Sequence, residues 1–487
     1  MPQRFEKSLT QNKLLLKDLF GDATDFYTKD IQIGGVACCI CMFEGLSSIE
    51  RLWVMMLDTL SHPGQNIPQN DPQALYEYLM KQSAIPLEHK NVLTLEDARA
   101  QLTAGTTVIL VDGLDRGLVL STQMMQFRSV SEPSGENNVR GSREGFCDLL
   151  RINISLIRRL VRTDGLMVQT MTFGERTQTE AALLYDRNLV DPALLDLVKR
   201  RLSEMEIPFL FDSGYFSAFL QKSRFSFFQS VGYTERPDTG AAKICEGKMI
   251  LLVNGSPFAL IVPYFFNENF QSMDDYSEKA YFSSMIRVLK YAAFLIAVML
   301  PGLFVSVANF TPEFLPSALL YKTAAAESAT PLPLFAEAIF VNFLLEIVRE
   351  AGLRLPRAIG HSVSLVAALI LGDAAVSAGL LGTPVVVVAA LTAICTYVVP
   401  NLYEPVTVLR LLFIAAGGIL GPIGIIALFL YLIFNLCSMN AFGIPFTAPM
   451  APASRAFLRD GVIRKSWRVL ARSAFTIHDL QQTEVEE

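Results

Sequence analysis

Charged and apolar positions divide the chain into two halves with different patterns. Up to about residue 290, short apolar runs alternate with charged segments, which is typical of soluble α/β proteins. Beyond that point the charges occur in islands between three long uncharged runs, at 291–312, 374–403 and 411–454. A helix needs about 20 apolar residues to cross the hydrocarbon core, and in lipid its backbone must satisfy its own hydrogen bonds. The pattern therefore predicts an α/β soluble N-terminal region followed by an α-helical transmembrane domain.

Two stretches of the soluble half repeat one arrangement. Each begins with an apolar strand followed by a helical stretch, and each later has two apolar runs that flank a tight turn. The turns are Asp112-Gly113 and Asn254-Gly255, and such pairs favour hairpins because Gly and Asn tolerate positive φ. Asp112 follows Ala37 of the first strand by 75 residues, and Asn254 follows Ala181 of the second by 73. We therefore predict two related lobes, at roughly 28–130 and 145–285.

The domain boundaries follow from these patterns. We predict a first lobe at 1–130, a polar, glycine-rich linker at 131–144, a second lobe at 145–285, a membrane domain at 286–450 and a basic tail at 451–487. The N-terminal segment has charges throughout and lacks the apolar core of a signal peptide, which places the lobes in the cytosol. The basic tail favours the same side of the membrane. With both ends on one side, the number of crossings is even.

Five helical segments are candidates for these crossings, which predicts four or five spans. They lie at about 284–308, 334–348, 358–381, 384–400 and 411–436. The 334–348 segment is too short to span comfortably, and the last segment is rich in glycine in its first half. An even number requires either that the 334–348 segment is re-entrant or that the glycine-rich run turns back. The sequence leaves both options open.

The candidate pore or gate residues are the polar side chains at membrane depth. Glu337, Asn342 and Glu346 lie in the short segment, and Asp373 lies among small residues further on. Ionisable groups within a membrane are costly and usually face protein or water-filled space. One hypothesis is a pore-lining helix whose carboxylates attract cations. The alternatives are an amphipathic interfacial helix, with a local Glu346–Arg349 salt bridge, and a capping or turn role for Asp373.

Composition excludes several functional classes. Only 18% of the residues are charged, and the net charge of −6 gives no support for nucleic-acid binding. Three of the seven cysteines lie in the apolar run VACCICMF, and the four histidines are dispersed, which predicts reduced packing cysteines, with no metal site and no cofactor. No phosphate-binding loop, nucleophile elbow or zinc-protease motif occurs, so we do not expect an enzyme.

Several long motifs follow one another between residues 153 and 452. They are NISLIRR at 153–159, DSGYF at 212–216, ERPD at 235–238, NGSP at 254–257, IVREAGLRLPRAIG at 347–360, LGDAAVSAGLL at 371–381 and SMNAFGIPFTAPMAP at 438–452. In this fixed order they resemble the motifs of the A subunits of GerA-family spore germinant receptors. The resemblance runs from about 145 to 455 and more loosely through the first lobe. The hairpin at Asn254 departs from the family's usual DGTP, and the stretch KTAAAESATPLPL departs from its usual loop.

This resemblance implies a receptor subunit in the inner membrane of bacterial endospores that responds to small nutrients. It implies partners, a permease-like B subunit and a lipoprotein C subunit, and a homo-oligomeric ring, a pentamer, that conducts monovalent cations. A close paralogue, encoded with the dipicolinate-release proteins, shares the motifs. Three hypotheses remain: a ligand-gated channel subunit, a secondary transporter, and a membrane-anchored scaffold for receptor assembly. Against the transporter, no inverted repeat is visible in the membrane half.

Overall fold

The structure is a computed structural model that describes most of the chain. The described residues are 3–21, 23–48, 67–81, 87–120, 140–221, 226–355, 370–453 and 460–471, with isolated positions between these ranges. Most of the helix predicted after the first apolar strand lies outside the described residues. So does the first half of the helix predicted at 358–381, whereas its second half, with Asp373, is described.

The first lobe is a five-stranded antiparallel sheet with helices. The predicted apolar strand is β2, which is almost entirely buried and carries three of the seven free cysteines. The packing role predicted for the cysteines is wrong for Cys245 and Cys437, which are exposed. The strand order is β1-β2-β4-β5-β3. The elements are α1 (Leu9–Phe20), β1 (Phe26–Ile33), β2 (Val36–Phe43), α2 (Pro72–Lys81), β3 (Leu87–Val92), α3 (Leu95–Thr103), β4 (Thr107–Val111) and β5 (Gly117–Leu120).

The second lobe repeats this topology. Its strand order, β6-β7-β9-β10-β8, is that of the first lobe shifted by five strands, and all its pairings are antiparallel. Both predicted hairpins are present, as β4–β5 and β9–β10. The elements are α4 (Leu150–Leu160), β6 (Leu166–Phe173), β7 (Thr179–Asp186), α5 (Pro192–Ser203), α6 (Gly214–Leu220), β8 (Gly232–Thr234), α7 (Pro237–Cys245), β9 (Met249–Val253) and β10 (Ala259–Val262).

Equivalent hydrogen bonds confirm that the two lobes are related. The Asn12 side chain on α1 accepts from the backbone N of Glu6 at 2.8 Å and donates to its O at 2.6 Å. The Asn153 side chain on α4 makes the same pair of bonds with Cys147, at 2.9 and 2.6 Å. Each asparagine lies six residues after its partner, so both copies tie the chain before the helix to the helix itself.

The hairpin turns complete the same unit. The Asp112 side chain accepts from the backbone N of Leu9 at 3.1 Å, and the Asn254 side chain accepts from that of Leu150 at 3.2 Å. Each turn therefore binds the first amide of the helix that opens its lobe, as a helix cap does. An amide oxygen accepts as a carboxylate oxygen does, so asparagine in place of the family's usual aspartate keeps this bond.

A buried ion pair joins the two lobes. The Arg158 guanidinium on α4 donates to both carboxylate oxygens of Asp25 in the first lobe, with Nη2 at 2.6 Å from Oδ1. The guanidinium carbon of Arg158 lies 4.2 Å from the centre of the Phe43 ring. Both charged side chains are at most 5% exposed, so the lobes meet through a desolvated contact.

Five longer helices form the described part of the membrane half. Among the described residues, Ala280–Phe310 and Pro400–Ser438 are long and apolar enough to cross a membrane, and a further candidate is a pair of helices that meet at 82°. The helices are α8 (Ala280–Phe310), α9 (Ser317–Ala329), α10 (Leu334–Arg354), α11 (Thr383–Val398) and α12 (Tyr403–Ser438). Shorter pieces are helical turns at Phe266–Phe270, Asp274–Ser277, Pro312–Phe314, Ile370–Ala374, Ala375–Ser377, Pro400–Leu402 and Trp467–Leu470, and strands β11 (Asn440–Ala441) and β12 (Ile444–Pro445).

Helix α12 folds back on itself at Gly421. This residue has φ +63° and ψ −145°, which is not helical, and Pro422 follows it. A Cβ on Gly424 would lie 2.4 Å from the backbone O of Ala416, eight residues earlier, whereas these positions are about 12 Å apart in a straight helix. The glycine-rich run is therefore a hairpin of two helices.

The ends of this hairpin define two ends of the membrane bundle. Near its start, Glu404 accepts from Gln229 of the second lobe at 3.2 Å, and near its finish Asn435 contacts Ser226 at 3.4 Å. We call this the lobe end. The turn at Gly421 packs on Phe310, at the finish of α8, and we call this the far end. An even number of crossings required either a re-entrant 334–348 segment or a glycine-rich run that turns back. In the structure, the glycine-rich run turns back.

The segment after α12 returns to the second lobe. The backbone O of Phe446 accepts from the backbone N of Phe266 at 3.0 Å. Further on, Asp460 accepts from Arg287, near the start of α8, at 2.8 Å. The tail predicted as a separate basic segment is thus held at the lobe end, on the same side as the N-terminal lobes.

Candidate ion pathway and junction cavity

Helix α10 carries three of the four candidate residues. It runs from the far end, where Phe335 contacts the Gly418 position, to the lobe end, where Glu346 contacts Tyr403. Its 21 residues extend over about 31 Å. The helix packs within the bundle against α8, α11 and α12. The first turns of α10 are therefore buried, whereas Glu350 and Arg354 near its end are exposed.

Glu346 is the centre of a polar cluster between α10 and α12. Its carboxylate accepts from Arg410 Nη2 at 3.0 Å, from Arg349 Nε at 3.1 Å and from the Tyr403 hydroxyl. The Arg349 guanidinium carbon also lies 3.7 Å from the centre of the Tyr403 ring. The predicted local salt bridge with Arg349 is present. The Glu346 carboxylate therefore faces two arginines rather than open space.

Arg410 is the member of this cluster that the candidate set lacked. It is seven residues into α12, about 10 Å from the helix start, and its side chain is only 4% exposed. A desolvated arginine needs a counter-charge, and Glu346 supplies it from another helix. One signal was visible in the sequence: Arg410 is an isolated charge at the border of the longest uncharged run.

Glu337 is buried at the far end of α10 and acts on a neighbouring helix. Its carboxylate accepts from the backbone N of Gly382, the residue that caps the N-terminus of α11. A carboxylate at a helix N-terminus is stabilised by unpaired N–H groups and by the helix dipole. Glu337 therefore ties the first turn of α10 to the first turn of α11.

Asn342 and Asp373 occupy different environments. Asn342 is 3% exposed, and its Nδ2 donates to the backbone O of Ala338 at 2.8 Å, but its Oδ1 has no hydrogen-bond partner among the described residues. Asp373 is exposed, in the π-helical turn Ile370–Ala374. The structure thus brings Glu337, Asn342 and Glu346 onto one helix, with Glu337 and Asn342 buried and Glu346 half-buried, and leaves Asp373 at the surface of the single chain.

A second candidate site is a cavity of about 940 Å³ at the lobe end. Its walls come from α7 and β10 of the second lobe, the base of α8, the turn between α11 and α12, and the tail. Lys243, Glu268 and Asp460 are among the charged residues that line it, together with Tyr264 and Asn401. It lies where the soluble lobe, the membrane helices and the tail meet.

A buried charge network supports the wall of this cavity. Glu268 accepts from the backbone N of Phe265 at 2.9 Å and forms ion pairs with Lys243 and with Lys248, whose side chain is 1% exposed. Burial alone would raise the pKa of Glu268, but the two lysines outweigh it and lower the pKa to about 2. Burial lowers the pKa of Lys248 and raises that of Tyr264. The network fixes the turn that leads from the second lobe toward α8.

This architecture, two duplicated α/β lobes joined to a helical bundle with two candidate membrane-spanning helices, fits a membrane protein. The profile of the Bacillus/Clostridium GerA spore germination protein family matches residues 15–474. The chain therefore belongs to the GerA family of spore germination proteins.

Individual spore germination proteins are similar to this chain over nearly its whole length. Spore germination protein KA of Bacillus subtilis is 34% identical over 472 residues, which cover 96% of this chain and 86% of that one. Spore germination protein B1 of the same organism is 31% identical, and 95% of each chain is covered. The crystal structure of the N-terminal domain of the A subunit of the Bacillus megaterium germinant receptor GerK3 matches 55% of this chain and 98% of that domain, with 22% identity and a TM-score of 0.42.

Proposed function

We propose that the chain is the A subunit of a nutrient receptor in the inner spore membrane, with its lobes in the cytosol. In this proposal, copies of the chain assemble into a ring that conducts monovalent cations when nutrient binds, together with a permease-like B subunit and a lipoprotein C subunit. The observation that carries it is the Glu346–Arg410 ion pair inside the bundle. Charged groups at such depth are costly, and in membrane proteins they mark ion pathways and switches.

The membrane topology agrees with this proposal. Helices α8 and α10 run in opposite directions, α11 returns to the lobe end, and α12 supplies two antiparallel helices. Arg354 lies toward the lobe end and Gly382 at the far end. The described helices pass between the two ends five times, and the start of α8 and the finish of α12 both lie at the lobe end.

The outer face of α10 supports an oligomer. Phe340, Phe343 and Ile347 are 45%, 59% and 48% exposed and follow each other at helical spacing. One copy has too few helices to enclose a wide pore, so the pathway requires several. In a ring, this face would contact a neighbouring copy, and the Glu346–Arg410 pair would lie between that contact and α12.

The test is ion flux from liposomes that carry the purified chain, with and without the partner subunits. We compare wild type with Glu346→Gln and Arg410→Gln, and Glu350→Gln is the matched control because, within the described part of the chain, its carboxylate pairs with the exposed Arg354 alone. The proposal expects cation flux that both cluster variants change by about tenfold or more and that the control leaves unchanged. A chain that stays monomeric in mild detergent, or that supports only coupled uptake without conductance, contradicts it.

A further inference from the structure

The tail segment 460–471 is fixed along the base of α8. Arg464 Nη1 donates to the backbone O of Glu278 at 3.0 Å, and Trp467 Nε1 donates to the backbone O of Tyr276 at 2.8 Å. The Arg464 side chain is buried, and its guanidinium lies over the rings of both Tyr276 and Trp467. The segment therefore has one side attached to the protein and the opposite side free.

Buried charged groups lie beneath this segment. Arg287 donates to Asp275 at 2.7 Å and to Asp460 at 2.8 Å, and Lys290 and Arg464 lie in the same cluster. Asp274 also acts on Lys290, so three cations lie with three carboxylates. Arg287 Nη2 and the Nε and Nη2 atoms of Arg464 are nevertheless buried without an acceptor among the described residues. Unpaired guanidinium N–H groups favour an anionic acceptor nearby.

The free side of the segment alternates basic and apolar residues. Lys465 and Arg468 are exposed, and Ile463, Trp467 and Val469 are 65%, 56% and 41% exposed. Large apolar side chains beside lysine and arginine are typical of protein segments that lie in the membrane interface. A surface in contact with water alone would not expose a tryptophan and an isoleucine so fully.

The segment lies at the outer edge of the phospholipid headgroups. The backbone N of Arg464 donates to Ser284 Oγ at 3.0 Å, and Ser284 is seven residues before Tyr291, where the uncharged run of α8 begins. This separation corresponds to about 10 Å, slightly more than the thickness of the headgroup layer on one side, which is roughly 5–8 Å. Exposed Met285 and Val288 continue the apolar face of α8 between the two levels.

We propose that residues 463–469 form a binding site for anionic phospholipid. Lys465 and Arg468 bind the headgroup phosphate, and Ile463 and Trp467 contact the headgroup layer. Beneath them, Arg287 and Arg464 have N–H groups without an acceptor among the described residues. The partner is lipid, because the basic and apolar side chains lie together, next to a membrane-spanning helix, at the edge of the headgroups.

The experiment measures lipid retained by the full-length protein. Purified chain is exchanged into nanodiscs of phosphatidylcholine with 30% phosphatidylglycerol, and the bound lipid is counted by native mass spectrometry after release. We compare wild type with Lys465→Gln/Arg468→Gln and with Trp467→Ala. The matched control, Lys17→Gln/Arg200→Gln, removes two exposed charges from the soluble lobes. Each basic residue at an anionic surface is worth about a factor of five in affinity, so the double variant should bind phosphatidylglycerol about 25-fold more weakly.

Each other outcome overturns the proposal. If the double variant retains phosphatidylglycerol as wild type does, the surface binds no anionic lipid. If inorganic phosphate displaces the lipid at millimolar concentration, the site recognises a free anion instead. If the double variant changes the oligomeric state and not the lipid count, the surface is an interface between copies of the chain. Trp467→Ala, which keeps both charges, should weaken retention less than the double variant.

Discussion

Removing the Glu346 carboxylate should destabilise the membrane bundle more than removing Arg410. Glu346→Gln leaves Arg410, which is 4% exposed, without its counter-charge. Breaking a buried ion pair from one side costs about 3–5 kcal/mol. Because Glu346 is 24% exposed and glutamine can still accept a hydrogen bond, we expect about 2 kcal/mol. Arg410→Gln should cost about 1 kcal/mol, since Glu346 keeps Arg349 and Tyr403.

The double variant measures the interaction energy between Glu346 and Arg410 apart from their other contacts. Glu346→Gln/Arg410→Gln removes both charges, so no unpaired ion stays in the bundle. We expect its total cost to be smaller than the sum of the single costs by about 1–2 kcal/mol. Unfolding is followed by titration with SDS in mixed micelles. The readout is the reactivity of buried thiols, of which Cys395 lies in α11.

Additive single costs would refute this reasoning. If the double variant equals the sum of the two single variants within about 0.5 kcal/mol, the two side chains do not interact energetically. The Glu350→Gln variant is the control, because its exposed i,i+4 pair with Arg354 is expected to contribute no more than about 0.5 kcal/mol.

Three further predictions concern other parts of the chain. Gly421→Ala should lower the free energy of unfolding by about 2–3 kcal/mol in the same assay, because φ is positive and the added Cβ would lie 2.7 Å from Phe310. Gly372→Ala is the control, and it should lower stability little because the space around Gly372 is open. Because the pKa of Glu268 is lowered, the ionised carboxylate stabilises the fold fully above the ordinary pKa of about 4.3. This stabilisation is lost as pH falls from there toward 2. The Glu268→Gln variant should therefore lose less stability than wild type over this pH range. Asp25→Ala should cost about 3 kcal/mol and increase protease cleavage between the lobes, because it leaves Arg158 buried and unpaired.

The duplicated lobes could be predicted because their signals are local. Apolar strands and Asp-Gly or Asn-Gly turns determine hairpins within a dozen residues, and both hairpins are present. The role of Asp112 and Asn254 as helix caps was missed, since each binds an amide more than 100 residues away. Local sequence patterns do not predict a contact between residues so far apart.

The membrane half was harder to predict, because its contacts also join residues that lie far apart in the sequence. The glycine-rich run has several glycines that could turn the chain, and only packing against Phe310 selects Gly421. The salt bridge of Glu346 with Arg349 could be predicted from its i,i+3 spacing, but the partner Arg410 is 64 residues away. Glu337 was a candidate for its charge, whereas its contact with Gly382 depends on how α10 and α11 pack.

The order of the helices along the chain has a consequence for biosynthesis. An arginine near the centre of an inserting helix costs about 2.5–3.5 kcal/mol on the translocon scale. Because α10 is synthesised before α12, the Glu346 carboxylate is already in the bilayer when Arg410 leaves the ribosome. We therefore expect insertion of the α12 hairpin to depend on the earlier helix. A glycosylation acceptor placed at the hairpin turn would report this in a cell-free translation assay: Glu346→Gln should lower the modified fraction, and equal fractions for both chains would show that α12 inserts unaided.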